Sequence, residues 1–294
     1  MRTQQPLSRI RGLRGGSRLA NELTHLADVR NHSMLSRLIR ASGILPRRTI
    51  PMYWFSRVPN LGDVLSRVVV EHLSHGTPVL VPENFPGKLL ACGSILSKAT
   101  AGDWVWGAGA KWEEPITPPP GVVFYAVRGP LTARLIRGDV PEIYGDPAQL
   151  LPRIFNPPVE KRFELGVIAH YIEQDLVTVG DPSIRTIDVL APWREVVQAI
   201  LSCRAVLSSS LHGLIVAEAY GIPAVWMTAS DRVHGRGFKF RDYYLATGRE
   251  PRTPIAWDRA LDDVERHFVE PPKPNVDALL AAWPKELILP PVGP

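Results

Sequence analysis

Cysteine is scarce in this chain of 294 residues. Cys92 and Cys203 are the only two, and neither belongs to a CxxC pair. A zinc site or a disulfide framework therefore has no basis in the sequence. No apolar run approaches the roughly 18 residues that a membrane-spanning helix needs. The basic N-terminal segment is not followed by the apolar stretch of a secretory signal, which predicts a cytoplasmic protein.

Several nucleotide and hydrolase motifs are also missing. The chain has no GxxxxGK[ST] loop and no GxGxxG after a predicted strand, which disfavours an ATPase or an NAD enzyme. It has no GxSxG turn either, which argues against an α/β-hydrolase. His72 and His75 stand three residues apart, but no third ligand is evident, so no metal site is predicted.

Positive charge is concentrated at the N-terminus. The net charge is +5, yet residues 1–48 alone hold ten arginines against Glu22 and Asp28, so the rest of the chain is slightly acidic. We expect this arm to be a partly disordered tail that can contact anionic lipid at the membrane surface. It contains no aromatic residue for base stacking, so nucleic acid is not predicted as a partner.

The body of the chain alternates short apolar runs with amphipathic segments. This pattern is typical of an α/β fold with mostly parallel sheets. A proline-bearing, charged stretch at 151–162 predicts a linker. We therefore predict the arm at 1–48, one Rossmann-like domain at 49–155 and a second at 156–294, with ligands in a cleft at the carboxyl ends of the strands. The predicted elements include a helix over 63–73 and a strand over 186–190.

The most informative stretch is a predicted strand-to-helix turn that carries Ser208, Ser209, Ser210 and His212. Free N–H groups and the positive dipole end at a helix N-terminus bind phosphate or carboxylate. The hydroxyls add donors, and a histidine carries protons near neutral pH. Serine capping with a locally packed histidine is the structural alternative.

A second turn of this kind carries Asn60, Gly62 and Asp63. Glycine lets a ligand approach the backbone closely. Asp63 is suited either to cap the helix or to act as general base for a sugar hydroxyl.

Three further residues are candidates for binding. Arg128 follows a predicted strand, where arginine suits bidentate recognition of carboxylate or phosphate, or else an ion pair between domains. Asp146 lies in a turn and either caps the next helix or faces the cleft. Lys239 follows a glycine-rich polar stretch, 228–237, that we interpret as a mobile lid, and it can meet an anion.

Taken together, these motifs resemble the polysaccharide pyruvyl transferase family over about residues 52–270. The resemblance rests on their order and spacing more than on any single motif. It is carried by Tyr53-Trp54, Asn60-Leu61-Gly62-Asp63, Arg128-Gly129-Pro130-Leu131-Thr132, Gly145-Asp146-Pro147-Ala148, Ser208-Ser209-Ser210-Leu211-His212-Gly213 with Ala217, Gly221-Ile222-Pro223, Lys239-Phe240 and Asp242-Tyr243-Tyr244.

The resemblance implies a GT-B-like fold of two Rossmann-like domains facing a cleft. It implies transfer of pyruvate from phosphoenolpyruvate onto a sugar, usually as a cyclic ketal, with no metal or dissociable cofactor. Arg128, Leu211 and His212 would contact phosphoenolpyruvate. We interpret His212 as the general acid or base and Asp63 as the group that activates or orients the acceptor hydroxyl.

One departure matters. Many family members have arginine directly before the Leu-His pair, where this chain has Ser210. Lys239, Arg236 or Arg241 can replace that charge, or the anion pocket differs. Two alternatives stay open: a nucleotide-sugar glycosyltransferase of the same fold, and a non-catalytic glycan-binding relative.

The resemblance also suggests an acceptor and a location. The acceptor would be a repeat unit of an exopolysaccharide or capsule, lipid-linked at the inner face of the membrane. The basic arm would then hold the enzyme there as a peripheral protein.

Overall fold

A computed structural model describes residues 49–272 and 276–287, without the side chains of 263–265. The predictions for the arm at 1–48 lie outside these residues. Within them the chain forms two five-stranded sheets in sequence, with helices packed between and around the strands. This confirms the α/β class and the two parallel-sheet units. Across the described ranges, no helix has the length and apolar character needed to cross a membrane.

Both sheets are parallel throughout and share one strand order. The first runs β2-β1-β3-β4-β5, and the second runs β10-β9-β8-β6-β7, which is the same order written from the other edge. The strands are β1 Thr49–Tyr53, β2 Thr77–Leu80, β3 Leu89–Leu90, β4 Trp104–Trp106, β5 Val123–Ala126, β6 Phe163–Ile168, β7 Ile184–Thr186, β8 Cys203–Ser208, β9 Ala224–Thr228 and β10 Ile255–Ala256.

Helices connect successive strands in most of the described chain. They are α1 Leu61–Ser74, α2 Pro130–Leu135, α3 Trp193–Leu201, α4 Leu211–Ala219, α5 Phe238–Ala246, α6 Trp257–His267 and α7 Val276–Ala281, with 3₁₀ segments at Leu96–Lys98, Pro147–Arg153, Gln174–Leu176 and Lys285–Leu287. Helix α3 is amphipathic and buries Val196, Val197 and Ile200. Helix α4 is buried along nearly its whole length, which requires its almost uniformly apolar sequence.

Two local predictions are wrong. Asp63 does not cap α1: the helix begins two residues earlier with Asn60 at the N-cap, because the Val64 N–H donates to the Asn60 carbonyl. The predicted strand over 186–190 ends at Thr186. The carboxylate of Asp188 accepts the Leu190 N–H, a side-chain turn that competes with strand pairing.

The core is continuous between the two sheets. One apolar cluster joins Leu61 and Leu65 of α1 to Leu214 and Ile215 of α4. The chain also returns at its end to the first sheet, where Leu279, Trp283 and Leu287 join the cluster that contains Ile50 and Trp106. The indole N–H of Trp106 donates to the Leu279 carbonyl at 2.9 Å. These late residues fall in the predicted second domain yet pack on the first sheet, and the division into domains stays a prediction.

Candidate active site

A cavity of about 630 Å³ lies where residues from both halves of the chain meet. It is lined by Tyr53, Phe55, Arg57, Asn60, Asp63, Glu83, Gly93, Ser94, Ile95, Ser97, Lys98, Lys111, Trp112, His170, Tyr171, Ile172, Val189, Ser210, Leu211, His212, His234 and Lys239. Basic side chains outnumber the two carboxylates, Asp63 and Glu83. The cavity therefore suits an anionic ligand.

The strand order explains why the cavity forms here. In the order 2-1-3-4-5, successive strands are added toward one edge of the sheet after strand 1 and toward the other edge from strand 3 onward. Ligands of such sheets bind outside the carboxyl ends of strands 1 and 3, where the order reverses. In the first sheet these are β1 and β3, which are followed by Asn60 and by Gly93 and Ser94. In the second they are β6 and β8, which are followed by His170 and by Ser210. Both reversal points thus open into one cavity, and the N-termini of α1 and α4 lie beside it.

His212 lies in the first turn of α4 and is held against a buried carboxylate. Its Nε2 atom lies 3.3 Å from Oδ2 of Asp146, within ion-pair distance but outside hydrogen-bond geometry. The Asp146 side chain is completely buried and accepts the Ala148 N–H at 2.9 Å, so it caps the following 3₁₀ segment. Burial alone would raise the pKa of Asp146, but His212 and the hydrogen bonds outweigh it and lower that pKa. An ionised Asp146 therefore faces Nε2 of His212.

The other face of the His212 ring covers the start of α1. A Cβ atom at Gly62 would lie 2.0 Å from His212 Nδ1, so only glycine permits this approach. The neighbouring Asp63 lines the cavity and accepts a hydrogen bond of 2.5 Å from Asn60 Nδ2. Burial raises the pKa of Asp63 to about 6, although His212 and Asn60 partly oppose this. A carboxylate with this pKa is suited to accept and return a proton near neutral pH.

Lys239 brings a positive charge from the first turn of α5. Burial, with Arg128 and Lys111 nearby, lowers the pKa of Lys239 to about 8. Among the described residues no carboxylate lies within ion-pair distance of it. A half-buried ammonium group without such a partner is suited to pair with an anionic ligand.

The serine turn is used partly by the protein itself. The Ser208 hydroxyl accepts the Ser210 N–H, and the Ser209 hydroxyl accepts the His170 N–H at 2.8 Å. Both side chains are buried, whereas Ser210 and Leu211 line the cavity. Ser210 is the N-cap of α4, and its side chain makes no capping hydrogen bond. The substrate contacts predicted for Ser208 and Ser209 stay predictions.

Arg128 lies behind the cavity wall and is completely buried. Its Nε atom donates to Asp242 at 3.0 Å, and its terminal nitrogens donate to Ser94 Oγ and to the Ala110 carbonyl. A Cβ atom at Gly109 would lie 2.3 Å from its Cζ atom. The ion pair between the two halves, which the sequence left as an alternative, is therefore present. A contact between Arg128 and a donor stays a prediction.

The cavity brings together the predicted residues Asn60, Asp63, Ser210, Leu211, His212 and Lys239. Gly62, Arg128, Asp146, Ser208 and Ser209 instead lie beneath its surface. The sequence predictions missed most of the other lining residues, among them Trp112 and His170. Trp112 is 43% exposed, and its ring centroid lies 6.0 Å from that of His234. His170 could have been found from its place at the end of a predicted strand, 165–170.

Comparison with known proteins indicates the class of protein to which this fold and site belong, a transferase. Residues 121–231 match the family model "Polysaccharide pyruvyl transferase". The resemblance indicated by the motifs is thereby confirmed. The match contains Arg128, Asp146 and the serine turn with His212, but not Asn60, Asp63 or Lys239.

Two individual proteins are similar over most of the chain. "Uncharacterized protein L143" of Acanthamoeba polyphaga mimivirus is 28% identical over 269 residues, which covers 83% of this chain and 91% of that protein. "Succinoglycan biosynthesis protein ExoV" of Rhizobium meliloti (strain 1021) is 26% identical over 225 residues, which covers 70% of this chain and 68% of that protein.

Proposed function

We propose that this protein transfers pyruvate from phosphoenolpyruvate onto a sugar of an exopolysaccharide or capsular repeat unit and forms a pyruvate ketal. The observation that carries the proposal is the basic cavity with His212 set between Asp146 and Asp63. The family match of residues 121–231 and the similarity to a protein named for succinoglycan biosynthesis support it. Phosphoenolpyruvate serves as substrate, and no separate cofactor or metal takes part.

The donor carries a phosphate and a carboxylate, and the cavity offers groups for both. Lys239, the Ser210 hydroxyl and the N-terminus of α4 lie at its wall. Helix N-termini and ammonium groups both favour anions. Lys239 takes the role of the arginine that stands at the position of Ser210 in many family members. Arg128 supports this wall from behind through Ser94.

His212 is the general acid. The buried Asp146 lies 3.3 Å from Nε2 and orients the ring, while Nδ1 packs over Gly62. The His212 side chain, which lines the cavity, protonates the methylene carbon of phosphoenolpyruvate, and C2 becomes an oxocarbenium-like centre. A sugar hydroxyl attacks C2 and loses its proton, phosphate leaves with its bonding electron pair, and a second hydroxyl closes the ketal and loses its proton.

Asp63 accepts the proton of the attacking hydroxyl. Its raised pKa, about 6, makes it a stronger base than an ordinary aspartate while it is still ionised at pH 7. The acceptor sugar is lipid-linked and lies at the inner face of the membrane, and the two halves of the chain form the two sides of the cleft. The basic arm at 1–48 keeps the protein near anionic lipid, each basic residue contributing about 1 kcal/mol when close to the surface.

The test is phosphate release from phosphoenolpyruvate, with and without a panel of galactosyl, glucosyl and mannosyl acceptors. We expect release that depends on an acceptor, and a product that has gained the mass of a pyruvate ketal. Release of a nucleotide from a nucleotide sugar instead would identify a glycosyltransferase. A protein that binds no phosphorylated donor would be a non-catalytic glycan-binding relative.

Substitution of His212 tests the assignment of the acid. We expect His212→Ala to lower turnover by roughly 10²–10⁴-fold, the usual contribution of general acid–base catalysis, while phosphoenolpyruvate still binds. Stopped assays for phosphate measure turnover, and a titration of the same sample measures binding of phosphoenolpyruvate. Near-normal turnover in this variant would remove His212 from the chemistry.

A further inference from the structure

His170 is a cavity residue to which neither the sequence motifs nor the proposed chemistry gives a role. It follows β6, at the point where the second sheet reverses direction, and it lies beside the turn between β8 and α4. Three observations concern it: how its backbone is held, how its ring is oriented, and which charges surround it.

The protein fixes the position of His170. Its backbone N–H donates to the Ser209 hydroxyl at 2.8 Å, so the buried serine turn positions this residue as well as α4. Its ring packs on Tyr171 with 4.5 Å between centroids. A residue held by its backbone and by one face of its ring is ordered before any ligand binds, which lowers the entropic cost of a contact.

The orientation of the ring leaves one nitrogen available. Nδ1 accepts the Ile172 N–H at 3.4 Å, so the proton of the neutral ring resides on Nε2. Nε2 has no hydrogen-bond partner among the described residues, although the ring lines the cavity. An N–H donor in this position lacks an acceptor that a ligand can supply.

The surroundings keep this donor uncharged. Burial, together with repulsion from Lys239, His234 and His212, lowers the pKa of His170 to about 3. The same three cationic or potentially cationic groups attract an anion to the space that His170 faces. The imidazole therefore offers a hydrogen bond without changing charge between pH 5 and 9.

We propose that the Nε2–H group of His170 donates a hydrogen bond to an anionic oxygen of the bound donor, beside Lys239. This inference rests on the proposed function in that it takes phosphoenolpyruvate as the donor. Inorganic phosphate and pyruvate, used as separate probes, show whether the oxygen belongs to the phosphate or to the carboxylate.

The experiment compares His170→Phe with His170→Gln in the full chain. Phenylalanine keeps the packing on Tyr171 but removes the donor, whereas glutamine keeps an N–H near the position of Nε2. Calorimetric titration with phosphoenolpyruvate should show affinity lowered about 10- to 100-fold in His170→Phe, the effect of one hydrogen bond to a charged group. His170→Gln should recover most of it, and the ratio of wild-type to His170→Phe affinity should stay constant from pH 6 to 9.

Steady-state kinetics distinguish a direct contact of His170 with the donor from a merely structural role of this residue. The KM for phosphoenolpyruvate should rise in His170→Phe while the KM for the acceptor stays unchanged. A measurement on the wild type needs no substitution: with ¹⁵N-labelled histidine, the Nε2 signal of His170 should shift when inorganic phosphate or pyruvate is added. A His170→Phe affinity within twofold of wild type, or an Nε2 signal that moves with neither anion, would overturn the proposal.

The same experiment distinguishes failure of the His170 contact from failure of the proposed function. If inorganic phosphate binds with this dependence on His170 but phosphoenolpyruvate does not, the anion contact is upheld and the proposed donor is wrong. If the wild type binds none of the three anions, the contact itself is overturned.

Discussion

Lys239 faces the cavity with a pKa of about 8, so its charge changes within the range where the enzyme can be assayed. A lysine is positive below its pKa, and donor affinity should therefore be high below pH 8 and fall as the pH rises through that value. Lys239→Arg should remain positive throughout and keep its affinity to pH 9.5, because the pKa of arginine exceeds 12. Binding titrations with phosphoenolpyruvate from pH 6.5 to 9.5 measure both.

Lys239→Met supplies the control, since it has no charge to lose. Its affinity should be low and nearly independent of pH over the same range. If Lys239→Arg loses affinity at the same pH as the wild type, another group is titrating and Lys239 is not the anion-binding residue.

Asp63 connects stability to chemistry at the scale of a single residue. Because its pKa is raised to about 6 in the folded protein, the folded state binds its proton more tightly than the unfolded state does. Ionisation of Asp63 therefore lowers the free energy of unfolding as the pH rises from about 4 to 6, and this loss of stability is fully present at pH 7. Asp63→Asn should increase the free energy of unfolding at pH 7 by ~3 kcal/mol, since the pKa rises from 3.8 to about 6 and each pKa unit corresponds to ~1.4 kcal/mol.

The same variant should lose turnover, because the amide cannot accept the proton of the acceptor. Urea unfolding at pH 4.5 and 7 should show the gain at pH 7 and little of it at pH 4.5. A variant that is destabilised at pH 7, or that keeps wild-type turnover, contradicts the role assigned to Asp63.

At the scale of elements, the site depends on how closely α1 approaches α4. Gly62 lies in the first turn of α1, where an added Cβ would meet the His212 ring at 2.0 Å. Gly62→Ala should displace the ring from Asp146 and lower turnover about 10²-fold, as misplacement of a catalytic group by roughly 1 Å does. Phosphoenolpyruvate should still bind, and helix propensity favours alanine.

Gly180→Ala is the matched control, because no atom lies within 4 Å of the Cβ it would add. It should leave both turnover and the melting temperature unchanged. If Gly62→Ala is as active as this control, the close packing of His212 on α1 is not needed for the reaction.

Some helices and strands of this fold could be predicted from the single sequence, and others could not. The sequence pattern predicts helices over 193–201 and 257–267, and α3 and α6 have these bounds, because each helix has one apolar face. Helix α5 was not predicted as a helix: Phe238, Phe240, Tyr243 and Tyr244 are buried on several sides, which removes the amphipathic period. The strand β10 has two residues, too few for any pattern.

The candidate site was predictable where a residue follows a strand and precedes a helix, as Asn60 and Ser210 do. It was not predictable where two distant residues meet. Asp146 with His212 and Arg128 with Asp242 are contacts between separate strands and helices of the fold. One sequence contains no signal for such pairs, which place Arg128 and Asp146 beneath the surface of the cavity.

For the molecule as a whole, the buried pair of Arg128 and Asp242 joins the two halves of the chain. Asp242 also accepts the backbone N–H and the hydroxyl of Thr132, at 2.9 and 2.6 Å, so α5 is fixed to the start of α2. Both charged side chains are completely buried. Removing one partner leaves the other charge buried, without a counter-charge and without access to solvent. This lowers the free energy of unfolding by about 3–5 kcal/mol.

Arg128→Met should therefore lower the free energy of unfolding by about 3–5 kcal/mol, measured by urea unfolding followed by tryptophan fluorescence and by circular dichroism. The matched control is Arg153→Met, which breaks an ion pair whose side chains are 49% and 83% exposed. Such exposed pairs contribute about 0–1 kcal/mol, so the control should unfold close to the wild type. Equal losses in the two variants would mean that the buried pair does not hold the halves together. Loss of phosphoenolpyruvate affinity in Arg128→Met at low denaturant, where the variant is still folded, would show that the cavity wall depends on this pair.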